Sequence, residues 1–176
     1  MDGSDIGSHE QVAQSDAETL RRYDIKLGDI LQLEKVFTYA DVAQFGALTA
    51  DFNPIHMDDA AAKQAGFSNL VVHGMLCSSL FPTVIARRYP GAVYVSQTLK
   101  FVAPVFVNEP LRAQVEVMNI ANHKGRKRVT FSTKCFRRGN SLVILGDAMA
   151  LIPTTVIDNA RAPLGNPESN CTEEVI

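Results

Sequence analysis

Cysteine is scarce in this 176-residue chain: Cys77, Cys135 and Cys171 are odd in number and far apart. No two of them have the short spacing of a paired zinc site, so neither a disulfide framework nor a structural metal is expected. Free thiols in a reducing intracellular compartment are the expectation instead. Long apolar runs are missing as well. The nearest candidate, "SLVILGDAMALIP", is interrupted by Asp147 and falls short of the ~20 residues that span a bilayer, so it is expected as a strand and no membrane span is expected. The first 20 residues lack Lys and Arg and hold Asp2, Asp5, Glu10, Asp16 and Glu18, which matches neither a secretory signal nor a basic transit peptide. The terminal "EEVI" is not a usual peroxisomal address. A P-loop, a G-x-G-x-x-G turn and a G-x-S-x-G elbow are all absent, which sets aside the phosphate cradles and serine nucleophile those motifs build.

With 46% hydrophobic and 20% charged residues, the chain reads as one soluble globular domain with tails. Residues 1–22 and 156–176 are expected as polar tails and 23–155 as the domain. The net charge of −2 is unevenly spread. Residues 1–20 and 156–176 hold 9 acidic and 1 basic side chains, leaving 10 of the 19 acids against 16 of the 17 bases between 21 and 155. That excess of +6 suits an anionic ligand, although solvated surface charge explains it equally well. The cluster Lys124, Arg126, Lys127 and Arg128 in "NHKGRKR" reads as a hairpin tip. It lacks the interleaved aromatics of a nucleic-acid surface, and no nucleic-acid partner is expected. "NCT" at 170–172 fits a glycosylation sequon that is incidental without a secretory signal.

Periodicity changes once along the chain. Up to Pro90 it is helical. "FTYADVAQFGALTA" begins with Thr38 three residues before Asp41, a capping-box variant, and places Val42, Phe45 and Leu48 on one stripe. "DDAAAKQAG" predicts a short helix with Asp58 in its first turn and Gly66 after its end. "GMLCSSLFPTVIARRYPG" predicts a buried helix, kinked at Pro82. From Ala92 the pattern is that of strands: "AVYVSQTLKFVAPVF", "LRAQVEVMNIA", "RKRVTFSTKCFRR" and "SLVILGDAMALIP", with turns at "NHKG" and "RGN". "LQLEKVFTY" is an expected edge strand. The fold class is α+β, an antiparallel sheet around a long buried helix.

Two stretches carry candidate chemistry. In "ADFNPIHMDDA" a carboxylate at Asp51 and an imidazole at His56 flank Pro54, which fixes its own φ and holds Asn53 extended. Such a stiff segment presents two protic groups at little entropic cost, but D-x-N-P is also ordinary turn chemistry, with Asp51 in an Asx-turn. In "VVHGML" Gly74 opens the buried helix, where backbone N–H groups lack intrahelical partners and a ligand carbonyl can come close. A glycine that merely allows tight packing fits equally well. Cys77 reads as a small buried hydrophobe.

Together, "ALTADFNPIHMDDAAAKQAGFSNLVVHGML" and the downstream "SQTLKFVAPVFVNEPLRAQVEV" resemble the hydratase-2 pattern of the MaoC-like dehydratases, over about residues 28–152. The resemblance implies a hot-dog fold and reversible hydration of trans-2-enoyl thioesters to (3R)-hydroxyacyl thioesters. It implies Asp51 and His56 as the catalytic pair, with Asn53, Gly74 and Ser79 at the substrate and the Gly74 N–H on the thioester carbonyl. Many members have Gly where Ala50 stands. No metal or redox cofactor is implied. Acyl-CoA or acyl-carrier-protein thioesters are the expected partners, with the mitochondrial matrix or cytoplasm as the setting. A homodimer is expected because a lone sheet of this kind leaves an open edge. The alternatives are a hot-dog thioesterase, whose known pattern is not D-x-N-P-x-H, and a non-catalytic acyl-thioester-binding member.

Overall fold

Thr38 and Asp41 cap each other's backbone N–H groups in a complete capping box and start α1, Tyr39–Thr49. The cap follows directly on β1, Ile30–Val36. This computed structural model describes residues 23–155. The expected tails, the 170–172 sequon and Cys171 lie outside the described residues.

After α1 the chain makes a one-turn helix α2, Pro54–Met57, and a short helix α3, Asp59–Gln64. Asp58 sits one position earlier than expected: it is the N-cap of α3, accepting from the N–H groups of Ala60 and Ala61, and Asp59 occupies the first turn. Gly66, at φ 88°, follows the helix end as expected.

The expected single helix is two, α4 over Gly74–Ser78 and α5 over Leu80–Arg88. The interruption falls at Ser79, one turn before Pro82. Pro82 has no N–H to give the Ser78 carbonyl and its ring crowds that group, so the ladder fails on the N-terminal side of the proline. Hydroxyls bond the neighbouring carbonyls instead: Ser78 Oγ donates to Gly74 O at 2.9 Å and Thr83 Oγ1 to Ser79 O at 2.8 Å.

The strand half of the chain pairs entirely antiparallel. β4 (Pro110–His123), β5 (Arg126–Arg137) and β6 (Ser141–Pro153) form the centre, β1 flanks β4, and β2 (Val93–Gln97) flanks β6. The stretch read as one strand from Ala92 is split, since β3 is only Lys100–Phe101, also paired to β6. Between them Thr98 is drawn onto β6: its N–H donates to Asp147 O at 2.8 Å, and its Oγ1 accepts from the Asp147 N–H at 2.9 Å. At "NHKG" Lys124 and Gly125 have φ of 45° and 75°, the doubly left-handed pair of a two-residue hairpin.

Alternation decides which face is inside. Leu111, Ala113, Val115 and Val117 of β4, with Val129, Phe131 and Cys135 of β5, point inward and are buried. Phe81, Val84 and Ile85 of α5 belong to the same core. The fold is α+β, and its helical layer leaves a gap between α4 and the β3 side of the sheet.

Candidate active site

That gap is a cavity of about 490 Å³ lined by His56, Phe67, Val72, Gly74, Met75, Cys77, Phe101 and Ile144 among others. Its size is ordinary for a small-molecule site, and its walls are mostly apolar. His56 is the one titratable side chain on the wall besides Cys77. Burial pushes the Cys77 thiol up to about 12, so it stays protonated and inert at neutral pH.

The backbone explains how His56 reaches this wall. Ala50 ends α1 in the left-handed region, φ 57° and ψ 24°, which turns the chain sharply. Asp51 then makes the Asx-turn expected of it, its Oδ1 accepting from the Asn53 N–H at 3.3 Å. Asn53 is extended, φ −52° and ψ 126°, as its proline neighbour demands, and its side chain accepts from the Ile55 N–H to start α2. Pro54 takes the first helical position, where its missing donor costs nothing.

The stretch at 70–73 then fastens onto this turn. Val71 donates its N–H to Ile55 O at 3.1 Å, and Val71 O accepts from His56 Nδ1 at 2.6 Å. Val72 N–H bonds Val105 O, and Val107 N–H bonds Leu70 O, so the same stretch is pinned to the 105–107 segment. A carbonyl oxygen only accepts, so the proton of the neutral His56 ring is on Nδ1 and Nε2 is left as the acceptor.

Two of the expected site residues are therefore brought together, with an unexpected third. One ligating atom each of Asp51, His56 and His73 lies within 4.8 Å of the others. His73 is 3% exposed and stacks on His56, with ring centroids 3.8 Å apart and planes 28° apart. Its Nε2 is 3.1 Å from Asp51 O and 3.8 Å from Asp51 Oδ2. Two imidazoles and a carboxylate are a donor set for a divalent metal. Here, however, His73 Nε2 is committed to a carbonyl, and near-parallel rings do not converge their lone pairs on one point, so the geometry suits proton handling better.

The other expected residues stand apart to different degrees. Gly74 lines the cavity, under the ring of Phe101: a Cβ built on Gly74 would lie 2.7 Å from Phe101 Cε1. Asp51 and Asn53 are exposed and do not form the cavity wall. Ser79 is exposed, donates to Leu76 O at 2.6 Å, and does not line the cavity. His73 and Phe101 were missed in the sequence. A histidine inside the apolar run "LVVHGML" was the available signal for the first; nothing local distinguishes Phe101.

Relatives of the chain are found both in sequence and in fold. A family model described as "MaoC like domain" matches residues 17–136. The chain is 42% identical over 130 residues to a mitochondrial 3-hydroxyacyl-[acyl-carrier-protein] dehydratase of Arabidopsis thaliana, covering 73% of this chain and 78% of that protein. It is 38% identical over 131 residues to an (R)-specific enoyl-CoA hydratase of Aeromonas caviae, covering 73% of this chain and 96% of that one. Among solved structures, an (R)-hydratase from A. caviae involved in PHA biosynthesis superposes with a TM-score of 0.69 at 37% identity, over 74% of this chain and 98% of that one. The unliganded R-hydratase PhaJ1 from Pseudomonas aeruginosa also reaches a TM-score of 0.69, at 30% identity over 76% and 86% of the two chains. With its hot-dog sheet, its D-x-N-P-x-H turn and its HG stretch at the cavity wall, the chain belongs to the MaoC-like dehydratase family.

Proposed function

We propose that the chain is a hydro-lyase that interconverts trans-2-enoyl thioesters and (3R)-hydroxyacyl thioesters, with Asp51 and His56 as its acid–base pair. One observation carries the reading: the His56 imidazole, bonded to Val71 O through Nδ1, lines a largely apolar cavity, and a carboxylate oxygen of Asp51 stands within 4.8 Å of one of its ring nitrogens. The names of the A. caviae and A. thaliana relatives support the same chemistry.

Hydration requires a water oxygen on the β-carbon and a proton on the α-carbon. His56 Nε2 and the Asp51 carboxylate together hold the water and take its proton, and the pair returns one to the α-carbon. Negative charge grows on the thioester oxygen as the β-carbon is attacked. The Gly74 N–H, at the start of α4, is the donor for it. Since α4 is only 5 residues long, that help is a hydrogen bond and owes little to a helix dipole. Asn53 orients the turn through its bond to Ile55, and its amide cannot replace either proton carrier. Ser79, outside the cavity, is assigned to the break between α4 and α5 and not to the substrate. The apolar wall takes the acyl chain, and the positive body meets the phosphates of CoA or an acidic carrier protein.

The enzyme works as a homodimer in this reading, since β1 and β2 leave sheet edges open and Val93 and Val95 of β2 are about half exposed. Its setting is a reducing compartment, the mitochondrial matrix or the cytoplasm. Crotonyl-CoA tests the chemistry: loss of enoyl absorbance without thiol release is the expected result. Thiol release marks a thioesterase, and silence with every chain length on either carrier marks a binding member.

A further inference from the structure

His73 is the least accessible polar side chain of the cluster, and the reaction just described gives it no task. We infer that His73 is a positioning residue that sets the geometry of the Asp51–His56 pair from behind. The inference rests on the hydration reading of that pair.

Three contacts define its place. Its Nε2–H donates to the Asp51 carbonyl at 3.1 Å, and so holds the backbone of the turn rather than the reacting carboxylate. Its ring lies flat against His56 at a centroid spacing of 3.8 Å, so His56 cannot tilt toward that side. Phe45 packs against it, with ring centroids 5.0 Å apart. The proton that Nε2 spends on Asp51 O leaves Nδ1 of the neutral ring as a bare lone pair, and that atom is buried without a hydrogen-bond partner among the described residues. An unpaired buried polar atom is a cost that an apolar side chain would avoid. Keeping an imidazole here has a physical reason if its other nitrogen performs the work.

The surrounding chain makes room for this contact. Gly46 of α1 faces the Asp51 carbonyl, and a Cβ there would be 3.1 Å from Asp51 O and 3.9 Å from His73 Cε1. A methyl group would press on the hydrogen bond without touching His56. His73 also precedes Gly74, so one peptide unit links the residue that steadies the acid–base pair to the backbone donor for the substrate carbonyl. The ring thereby ties the three groups into one rigid unit, and misplacement by about 1 Å costs up to about 100-fold in rate.

The test uses the full chain with His73→Leu, His73→Gln and Gly46→Ala, with unfolding temperatures measured for each. His73→Leu keeps the bulk and loses the donor; it is expected to lower kcat about 10- to 100-fold while KM stays within about threefold. His73→Gln places an amide donor near the former Nε2 and is expected to recover most of that loss. Gly46→Ala, the second route to the same contact, is expected to lower kcat in the same direction. A spectroscopic reading accompanies the kinetics: the ring nitrogens of His56, followed by ¹H–¹⁵N NMR, show the Nδ1–H tautomer in the wild type and a mixture in His73→Leu. Folded His73→Leu protein with kcat within twofold of wild type and unchanged His56 nitrogens overturns the inference. An inactive wild type overturns the hydration reading instead, and the His56 nitrogens still decide whether His73 orients that ring.

Discussion

Ala50 shows at the scale of one residue how much a turn can ask of its sequence. Its φ of 57° is a conformation that costs an L-residue about 1 kcal/mol. Ala50→Gly is expected to raise stability by about 0.5 kcal/mol, less than the full strain because glycine is freer in the unfolded chain. Thermal unfolding reads the gain, and turnover is expected to stay within about twofold. Asp51 and His56 are a different matter. Asp51→Asn and His56→Ala are each expected to lower turnover by about 10²- to 10⁴-fold, the contribution of a positioned acid–base group. Their losses are not expected to add, because the two groups serve one step. Folded single variants that each keep more than about a tenth of the wild-type rate return both residues to turn chemistry. Asn53→Ala is expected to fall less, since the amide only shapes the turn.

Glycines set the limits at the scale of elements. Gly146 of β6 faces the carbonyl of Thr98, where a Cβ would come within 1.8 Å. Gly146→Ala must therefore break the pairing of Thr98 with Asp147, and an overpacked backbone contact costs about 3 kcal/mol or more. Denaturant unfolding is expected to show that loss, and a change below about 0.5 kcal/mol removes the argument. Gly74 differs, because the obstacle is the ring of Phe101, which is 50% exposed and free to swing aside. Gly74→Ala is expected to cost little stability but to slow turnover by roughly tenfold, through displaced alignment. Adding Phe101→Ala is expected to restore the packing, and the turnover only if Phe101 was the sole obstacle. The helices and strands were legible to this extent because their causes are local: the Thr38–Asp41 box, the extended Asn53 that Pro54 demands, and the alternation of β4, β5 and β6. The break at Ser79 was misplaced by one turn because a proline acts on the carbonyl four residues earlier, not on itself. The split between β2 and β3 was invisible, since bonds from Thr98 to a strand some fifty residues on create it.

Assembly and pH response belong to the whole molecule. Light scattering at micromolar concentration is expected to give twice the 19.2 kDa of one chain, and the mass of a single chain removes the edge-pairing argument. Burial raises the thiols of Cys77 and Cys135 from 9.0 to about 12, and Tyr94 from 10.0 to about 12. The folded chain then holds protons that the unfolded chain has released, so stability is full below about pH 9 and falls as pH rises toward 12. Unfolding temperature against pH is expected to turn downward there, and replacing both cysteines by alanine is expected to flatten the limb.

The sequence alone determined the fold class and the stiff turn that carries the imidazole, because period, caps and the D-x-N-P-x-H stretch act over a few residues. It also placed Asp51 and His56 on one rigid segment. Only the tertiary structure decided that His56 reaches an apolar cavity while Asn53 and Ser79 do not. Only it stacked His73 beneath His56, through hydrogen bonds from 71 to 55, from 56 to 71 and from 73 to 51. Those bonds join groups that are 15 to 22 residues apart in the chain. No local pattern specifies such a distance, because it is set by where the 70–73 stretch is pinned to the 105–107 segment.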